Sequence, residues 1–347
     1  MKQMIFTTQR YKKGQKIMFI KKISAALTAA AIMTTTMSLA GCSDSGSSKE
    51  EGKVSIVCTI FPEYDWVKSI TNGHECAEIT YLLDSGADLH SYQPTAEDIL
   101  KISDCDLFIY AGGESDTWVP EALENKRNDD MKIINMLDVI GDKAKEEEVK
   151  EGMQEEDEHD HEEGEEEEKE YDEHTWLSVE NAKTICKEIA DDLCEIDEDH
   201  KDVYKKNLES YLSELDALDS DFKAFADSAK NKTLVFGDRF PFRYFTDEYG
   251  FDYYAAFVGC SAETEASFET IAFLANKADE LNAKTIFTIE NSDNKIAQAI
   301  IDNTKSKDAK IAALHSLQSV TKEQLDADHT YITLMRQNLE TLKTALN

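Results

Sequence analysis

The sequence predicts an α/β protein of two lobes, each a mostly parallel sheet flanked by helices, with a long rigid helix bridging the lobes. Strand patterns alternate with helical patterns in both halves of the chain, which is typical of parallel sheets covered on both faces. Between the halves, apolar residues recur with the period of a long amphipathic helix. The 347 residues, 41% of them hydrophobic, suffice for two cores.

In the first half, the apolar run "VSIVCTI" predicts a buried strand, and Pro62 introduces the helix that follows it. Pro94 and Thr95 open a second helix, because Thr95 and Asp98 have the spacing of a helix cap and its third position. The predicted strands are 54–60, 77–83, 106–110 and 131–137, and the first helix is 64–70.

In the second half, helical periodicity starts at Ser178 and is interrupted by an acidic break at 197–199. A single helix over 199–229 would span about 46 Å at 1.5 Å per residue, enough to cross a whole lobe. Alternation then resumes, with strands at 233–236, 253–258, 285–289 and 310–314, and helices at 268–281, 294–303 and 331–346.

The chain is strongly acidic, with a formal net charge of -34. Much of this charge lies in 145–173, which holds 18 acidic and 3 basic side chains. Such a charge repels nucleic acid phosphates and anionic lipid headgroups, so we expect no nucleic acid partner. Cations are the expected ligands.

The N-terminal region predicts export. Lys21 and Lys22 precede an apolar stretch, 23–39, that ends just before Cys42 and is followed by a polar tether. This is the pattern of a secretory signal, and its end resembles the lipobox of bacterial lipoproteins, which predicts a lipidated Cys42. Met18 is a second start position, so that 1–17 would lie upstream of the signal, and an uncleaved signal anchor is the alternative.

The other six cysteines lack the paired spacing of zinc ribbons, and we assign no disulfide among them. Three histidines, in contrast, follow predicted strands or precede helices: His90, His174 and His315. Imidazoles that converge from distant segments suit a borderline cation such as zinc. A single loop histidine can equally serve as a surface or hydrogen-bonding residue.

Four segments resemble the bacterial solute-binding lipoproteins of zinc and manganese ABC importers, over nearly all of 53–347. They are "TIFPEYDWVKSI", "LHSYQPTAEDILKISDCDLFIYAGG", "YDEHTWLSVENAK" and "YITLMRQNLETLKTAL". The resemblance implies two lobes bridged by a rigid helix, with a metal in the cleft between them. It also implies that His90 and His174 are metal ligands.

The third ligand position departs from the pattern of these relatives, which usually carry a histidine or glutamate there. In "LVFGDRFPFRYF" the matching residue is Arg239, and a guanidinium group cannot bind a metal. Asp238 could supply an oxygen, or it could pair with Arg239. His315 falls where manganese-binding relatives carry an aspartate ligand, and Glu290 is a further candidate or a partner of Arg239. This histidine-rich set favours Zn²⁺ over Mn²⁺.

In the run "EEDEHDHEEGEEEEKEYDEH", 155–174, His174 belongs to the second ligand motif, whereas His159 and His161 lie in a tract of glutamate, glycine and aspartate that cannot bury enough apolar surface to fold. The resemblance suggests that His159 and His161, together with the carboxylates, capture zinc weakly near the mouth of the cleft. A solvated linker with incidental histidines is the alternative.

These observations predict a monomeric, extracytoplasmic zinc-binding component of an ABC importer, anchored to the bacterial membrane through Cys42. It would deliver the ion to a permease driven by a separate ATPase. The sequence has no motif of a zinc hydrolase, a serine hydrolase or a phosphate-binding loop, so we expect no enzyme. A manganese-binding homologue, and an adhesin or metal-buffering lipoprotein without a transporter, are the alternatives.

The predicted domain organisation has six parts. They are an upstream extension with the signal peptide (1–41), a lipid-anchored tether (42–52), the first lobe (53–143), an acidic, histidine-containing disordered loop (144–173), the second ligand motif with the linking helix (174–230), and the second lobe (231–347).

Overall fold

The computed structural model describes residues 52–72, 76–124, 126–154, 170–261, 265–327 and 329–347, all within one compact unit. The predicted signal peptide, Cys42, His159 and His161 lie outside the described residues. None of the described helices is both long and apolar enough to cross a membrane.

The strands are β1 (Val54–Cys58), β2 (Ala77–Tyr81), β3 (Leu107–Tyr110), β4 (Lys132–Asn135), β5 (Thr233–Val235), β6 (Asp252–Tyr254), β7 (Thr285–Ile289) and β8 (Lys310–Leu314). The helices are α1 (Phe61–Thr71), α2 (Ala96–Asp104), α3 (Val119–Glu124), α4 (Met136–Ile140), α5 (Val179–Ile196), α6 (Lys201–Ser228), α7 (Arg243–Tyr249), α8 (Phe268–Leu281), α9 (Lys295–Asn303), α10 (Lys322–Asp326) and α11 (Tyr331–Leu346).

The first lobe is built on a four-stranded parallel sheet in the order β2-β1-β3-β4. Ile56 and Val57 of the central strand β1 are almost fully buried, as are Leu107 and Phe108 of β3. Strands buried on both faces need a continuous apolar run rather than an alternating one. The apolar runs of the sequence therefore predict this sheet correctly.

The second lobe contains two parallel strand pairs, β5–β6 and β7–β8. The pairs adjoin where Phe236 forms a parallel bridge with Phe287. The amide of Phe236 also donates to Tyr254 (2.8 Å), and the amide of Gly237 donates to Phe287 (2.9 Å). The prediction of two lobes with mostly parallel sheets is confirmed.

The long helix α6 lies between the two lobes. It packs against α1 and α5 of the first lobe and against α7 and α11 of the second. Its 28 residues span about 42 Å, and its apolar face buries Leu215, Leu218 and Phe222. The predicted bridging helix is confirmed to within two residues at its start and one at its end.

Some short elements differ from the prediction. The last strand of the first lobe ends at Asn135, because the Asn135 side chain accepts hydrogen bonds from the amides of Leu137 (3.0 Å) and Asp138 (3.4 Å) and so starts α4. The helices α3, α4, α7 and α10 are too short to give a helical period in the sequence, and they are not predicted.

The segment predicted as a disordered loop, 144–173, is ordered at both described ends. Glu146 and Tyr171 form an antiparallel bridge, and the Gln154 amide donates to Ala256 (2.9 Å). The middle of the loop, 155–169, lies outside the described residues. The six cysteines in the described part of the chain are free thiols.

Asp65 of α1 is a buried carboxylate where α1, α6 and α11 meet. It accepts hydrogen bonds from the Tyr331 amide (2.9 Å) and the Tyr211 hydroxyl (3.5 Å). Burial raises the pKa of Asp65 to about 6, although these hydrogen bonds oppose the shift. The fold therefore favours the protonated carboxyl, and this contribution to stability is lost as the pH rises from about 4 through 6.

We expect Asp65→Asn to stabilise the metal-free protein above pH 6, by about 3 kcal/mol at most for a shift of about two pKa units. At about pH 4 the two proteins should have nearly equal free energies of unfolding, because the native Asp65 is then largely protonated. Urea unfolding at both pH values measures this difference. The exposed Asp191→Asn in α5 is the control, and a destabilised Asp65→Asn at neutral pH would contradict the expectation.

Candidate functional site

The polar side chains of the candidate site follow the carboxyl ends of parallel strands in both lobes. Ligands of α/β proteins bind at this edge of the sheet. These polar side chains line a cavity of about 500 Å³ between the lobes. Its walls include Asp88 and His90 from the first lobe and Asp238, Arg239 and Glu290 from the second.

The first lobe brings two of the predicted histidines together. One imidazole nitrogen of His90, one of His174 and one carboxylate oxygen of Glu173 lie within 4.8 Å of one another. The ring centroids of the two histidines are 5.3 Å apart. His90 stands in the loop after β2, and His174 directly precedes a short turn and α5, which Ser178 caps by accepting the Asn181 amide at 3.0 Å.

The orientation of His90 is fixed by its Nδ1 atom. This atom lies 3.0 Å from the Glu173 carboxylate and 2.9 Å from the Ser115 hydroxyl oxygen. The Ser115 hydroxyl and amide both donate to Glu173. Since the carboxylate can only accept, the His90 Nδ1 atom carries the proton and leaves the Nε2 lone pair available.

His174 is held in the same way by Asp172. The His174 Nδ1 atom lies 3.0 Å from the Asp172 carboxylate, which also accepts the His174 amide at 2.8 Å. Gly259 of the second lobe packs against the ring, and a Cβ atom there would lie 3.2 Å from the ring atoms Cε1 and Nδ1. The ring is fully buried, so its position is set by both lobes.

The electrostatics of this cluster favour a charged carboxylate beside a histidine. Burial raises the pKa of Glu173, but the hydrogen bond and charge of His90, the charge of His174 and the Ser115 hydrogen bond outweigh it and lower that pKa below its usual value. Burial lowers the pKa of His174, and the Asp172 carboxylate overcomes this effect and raises it. The cluster is therefore an anionic environment that stabilises positive charge.

The Nε2 atoms of His90, His174 and His315 are buried and have no hydrogen-bond partner in the described part of the chain. A buried polar atom without a partner costs free energy, roughly 1–3 kcal/mol each. The unpartnered Nε2 atoms of His90 and His174 carry lone pairs, because Nδ1 of each ring faces a carboxylate, and this favours a ligand that accepts nitrogen lone pairs.

His315 follows β8 in the second lobe and is prepared differently. Its Nδ1 atom accepts the Leu317 amide at 2.9 Å, so the neutral ring carries its proton on Nε2. Burial lowers the pKa of His315, the Glu290 charge opposes this shift, and the His329 charge adds to it. The ring is thus kept neutral, but its Nε2 lone pair becomes available only if the Leu317 hydrogen bond is given up.

Glu290 does not pair with Arg239 as the alternative interpretation supposed. Its two carboxylate oxygens accept the Ser316 amide (2.6 Å) and the Ser316 hydroxyl (2.6 Å). One oxygen also lies 3.4 Å from the His315 Nδ1 atom. Glu290 and His315 therefore form a second polar group on the opposite wall of the cleft.

The alternative interpretation of Asp238, a side-chain pair with Arg239, is also not found among the described residues. The Asp238 carboxylate accepts the Ser292 hydroxyl (2.5 Å) and the Arg239 amide (2.9 Å). The Arg239 guanidinium instead reaches across the cleft to the Asp88 carboxylate, with Nη1 3.4 Å from Oδ1 and Nη2 paired with Oδ2. Burial raises the pKa of Asp88, and the Arg239 guanidinium outweighs this and holds it below its usual value.

Sequence reasoning misses Asp172, Glu173 and Ser115. The two carboxylates immediately precede His174, where they are read as part of the acidic run. Their position beside a candidate histidine is the one sequence signal that could have separated these two carboxylates from the rest of the run. Histidines that bind a metal commonly donate their second N–H to a carboxylate. Ser115 has no such signal, since the fold alone brings it to His90.

Comparison with known proteins gives consistent matches. The family model described as zinc-uptake complex component A, periplasmic (ZnuA), matches residues 56–345. The chain is 32% identical over 327 residues to the high-affinity zinc uptake system protein ZnuA of Bacillus subtilis, covering 94% of this chain and 98% of that protein. It is 30% identical over 297 residues to the zinc-binding protein AdcA of Streptococcus pyogenes, covering 84% of this chain but only 56% of AdcA.

Two solved structures share the fold. The metal-dependent lipoprotein YcdH from Bacillus subtilis has a TM-score of 0.67 and 28% identity, covering 85% of this chain and 99% of that one. The Zn(II)-bound ZnuA-like domain of AdcA from Streptococcus pneumoniae has a TM-score of 0.65 and 27% identity, with the same two coverages.

Proposed function

This chain belongs to the family of periplasmic zinc-uptake component A proteins, and from that premise we propose that it binds one Zn²⁺ ion between its lobes as the capture component of an ABC importer. The observation that supports this most strongly is the pair of buried, unpartnered Nε2 atoms of His90 and His174. Each belongs to a ring whose Nδ1 atom is fixed by a carboxylate. Neutral imidazoles held in this way are the usual ligands of zinc.

His90 and His174 are the proposed ligands of the first lobe. Glu173 has a supporting role, because its oxygens are already engaged by His90 and Ser115. This arrangement fixes the direction of the His90 ring. The zinc ion would enter a site in which the His90 and His174 rings are already oriented, and it would compete with the proton that the raised pKa of His174 favours.

His315 is the proposed ligand of the second lobe. To bind zinc through Nε2, its ring must shift the proton to Nδ1 and exchange the Leu317 amide for the nearby Glu290 carboxylate, now 3.4 Å away. We propose that this exchange accompanies zinc binding. Asp238 and Glu290 are engaged by Ser292 and Ser316, which makes them weaker candidates for direct ligands.

The proposed ligand set explains the choice of metal. Three imidazoles suit Zn²⁺, whereas Mn²⁺ prefers carboxylate, carbonyl and water oxygens. The carboxylates around the two first-lobe histidines bind the rings rather than standing free. We therefore expect zinc to bind much more tightly than manganese, and competitive titration of the two metals measures this preference.

Membership of this family suggests how the protein would capture zinc and deliver it. We propose that the protein is held outside the cytoplasm by a lipid on Cys42, that it performs no catalysis, and that it hands zinc to a permease driven by an ATPase. A strain that lacks the protein should grow poorly under zinc limitation and recover when zinc is added. Normal growth under zinc limitation would favour an adhesin or a metal buffer instead.

The ion pair between Asp88 and Arg239 joins the two walls of the cleft, which predicts a role in zinc retention. We expect Arg239→Gln to speed zinc release by about fivefold, since a partly exposed pair contributes about 1 kcal/mol or less. Stopped-flow transfer of zinc to a chelator measures the rate. Arg127→Gln, which removes an exposed pair with Asp104, is the control, and an unchanged release rate for Arg239→Gln would exclude the role.

We also propose that the acidic segment 155–169, with His159 and His161, concentrates zinc near the protein. The test is deletion of 155–169 with a short glycine-serine bridge, which retains Glu147, whose carboxylate accepts the Cys260 amide. Tight zinc binding should persist, while uptake at limiting zinc should slow. Unchanged uptake would show that the segment is only a solvated linker.

A further inference from the structure

A second group of side chains of the types that ligate metals lies at the opposite edge of the first-lobe sheet. We propose that Cys76, Asp197 and His200 form a separate site for one divalent transition metal ion such as Zn²⁺ or Co²⁺. One ligand atom from each of the three residues lies within 4.8 Å of the other two. This proposal is independent of the zinc site in the cleft.

The three side chains are already connected. The His200 Nδ1 atom lies 2.7 Å from the Asp197 carboxylate. The Tyr204 hydroxyl donates to the same carboxylate at 2.7 Å and lies 3.3 Å from the Cys76 sulfur. Thiol, carboxylate and imidazole are thus held around one point.

The backbone around these residues is well fixed. Cys76 directly precedes β2, and its carbonyl accepts the Val54 amide at 2.8 Å. Asp197 directly follows α5, and its amide donates to the Leu193 carbonyl at 2.9 Å. His200 directly precedes α6. Sites on the ends of packed helices and strands keep their ligands in place more precisely than sites on long loops.

The ligand chemistry matches zinc. Thiolate, imidazole and carboxylate bind zinc at about 2.3, 2.0–2.1 and 2.0–2.2 Å, which places tetrahedral ligand atoms roughly 3.3–3.7 Å apart. The separations here are at most 4.8 Å, so shifts of about 1 Å or less bring the ligand atoms into this range. The His200 side chain is 37% exposed and can make such a shift, whereas Cys76 is almost buried.

The same exposure leaves room for water as a fourth ligand. Binding replaces the proton of the Cys76 thiol by the metal ion and releases that proton to solvent. The Tyr204 hydroxyl then either keeps its hydrogen bond to Asp197 or loses it, because the metal ion takes its place on the carboxylate. Only three of the four tetrahedral positions come from the protein, so the site should bind less tightly than a closed structural site.

This group is far from the cleft. Cys76 precedes the five residues of β2, while His90 stands in the loop beyond its other end. A strand of that length spans about 16 Å. A metal at Cys76 therefore cannot share ligands with the histidines of the cleft.

The experiment is a Co²⁺ titration of the His90→Ala, His174→Ala double variant, in which the cleft site is disabled. A thiolate bound to cobalt gives a charge-transfer band in the near ultraviolet, which the cleft histidines cannot produce. We expect this band to saturate at one equivalent. The absence of this band would overturn the proposal. A band that persists when Cys76→Ser is combined with the double variant would also overturn it.

Two further variants keep the test decisive if Cys76→Ser folds poorly. His200→Ala alters a half-exposed residue and should weaken cobalt binding about tenfold or more, on the scale of a lost metal contact. Cys194→Ser removes another thiol near the start of α6, whose sulfur donates to the Lys201 carbonyl at 3.7 Å, and it should leave the band unchanged. Equal spectra for His200→Ala and the parent would also contradict the site.

Discussion

Replacement of His174 with alanine is expected to weaken zinc binding by about 100-fold or more. Zinc sites release about 10–16 kcal/mol on binding, so one of about four ligands carries about 3 kcal/mol, and 1.4 kcal/mol is a tenfold change in affinity. His90→Ala should have an effect of similar size. Competitive titration against a chromogenic zinc chelator measures both affinities.

The control is Asp191→Ala, which removes an exposed side chain of α5 that belongs to neither proposed metal site. It should leave the tight site unchanged. If His174→Ala retains tight zinc binding, the cleft cannot be the principal site. If His315→Ala keeps the tight site while His90→Ala and His174→Ala lose it, the second lobe must supply a different ligand. Asp238 and Glu290 are then the next candidates.

The second large effect is expected for Glu173→Gln, which keeps the shape of the side chain but removes its charge. The amide cannot fix the His90 ring with Nδ1 protonated as firmly as the carboxylate does, because its NH₂ group can itself donate to Nδ1. Loss of a carboxylate that supports a metal-bound histidine typically costs 10–100-fold in affinity. We expect zinc affinity to fall by about that factor.

Glu170→Gln is the control for this prediction, since Glu170 is an exposed acidic residue three positions earlier in the same segment. It removes the same charge without touching His90, so its zinc affinity should equal that of the parent protein. Equal affinities for both variants would show that Glu173 contributes only bulk negative charge to the site.

The parallel sheets of both lobes could be predicted because strands buried on both faces are nearly continuous apolar runs, as in "VSIVC" and "TIFTI". The bridging helix was equally accessible, since its apolar period continues from Tyr204 to Phe225. Elements of five to seven residues, such as α4, could not be predicted, because a side-chain cap at Asn135 rather than a periodic pattern decides where they start.

The site was only partly accessible from sequence. His90 and His174 come together in the structure as the motifs indicate, but pairing between side chains far apart in the chain could not be read from spacing. Arg239 shows this most clearly. It has two acidic candidates nearby in sequence or along the cleft, Asp238 and Glu290, yet it pairs with Asp88, 151 positions away.

The roles of Asp172 and Glu173 could not be predicted from the sequence either. In a run that holds so many acidic residues, two buried carboxylates look like solvated ones, and only the folded structure separates them. The desolvation cost of burying them is offset by the histidines that they hold, which is a property of the site and not of its composition.

The most direct test of the proposed function is an anomalous diffraction measurement at the zinc edge on crystals loaded with one equivalent of zinc. The proposed function predicts one strong peak in the cleft, about 2.0–2.1 Å from the Nε2 atoms of both His90 and His174. A principal peak anywhere else in the molecule, with these two histidines unbound, would contradict it.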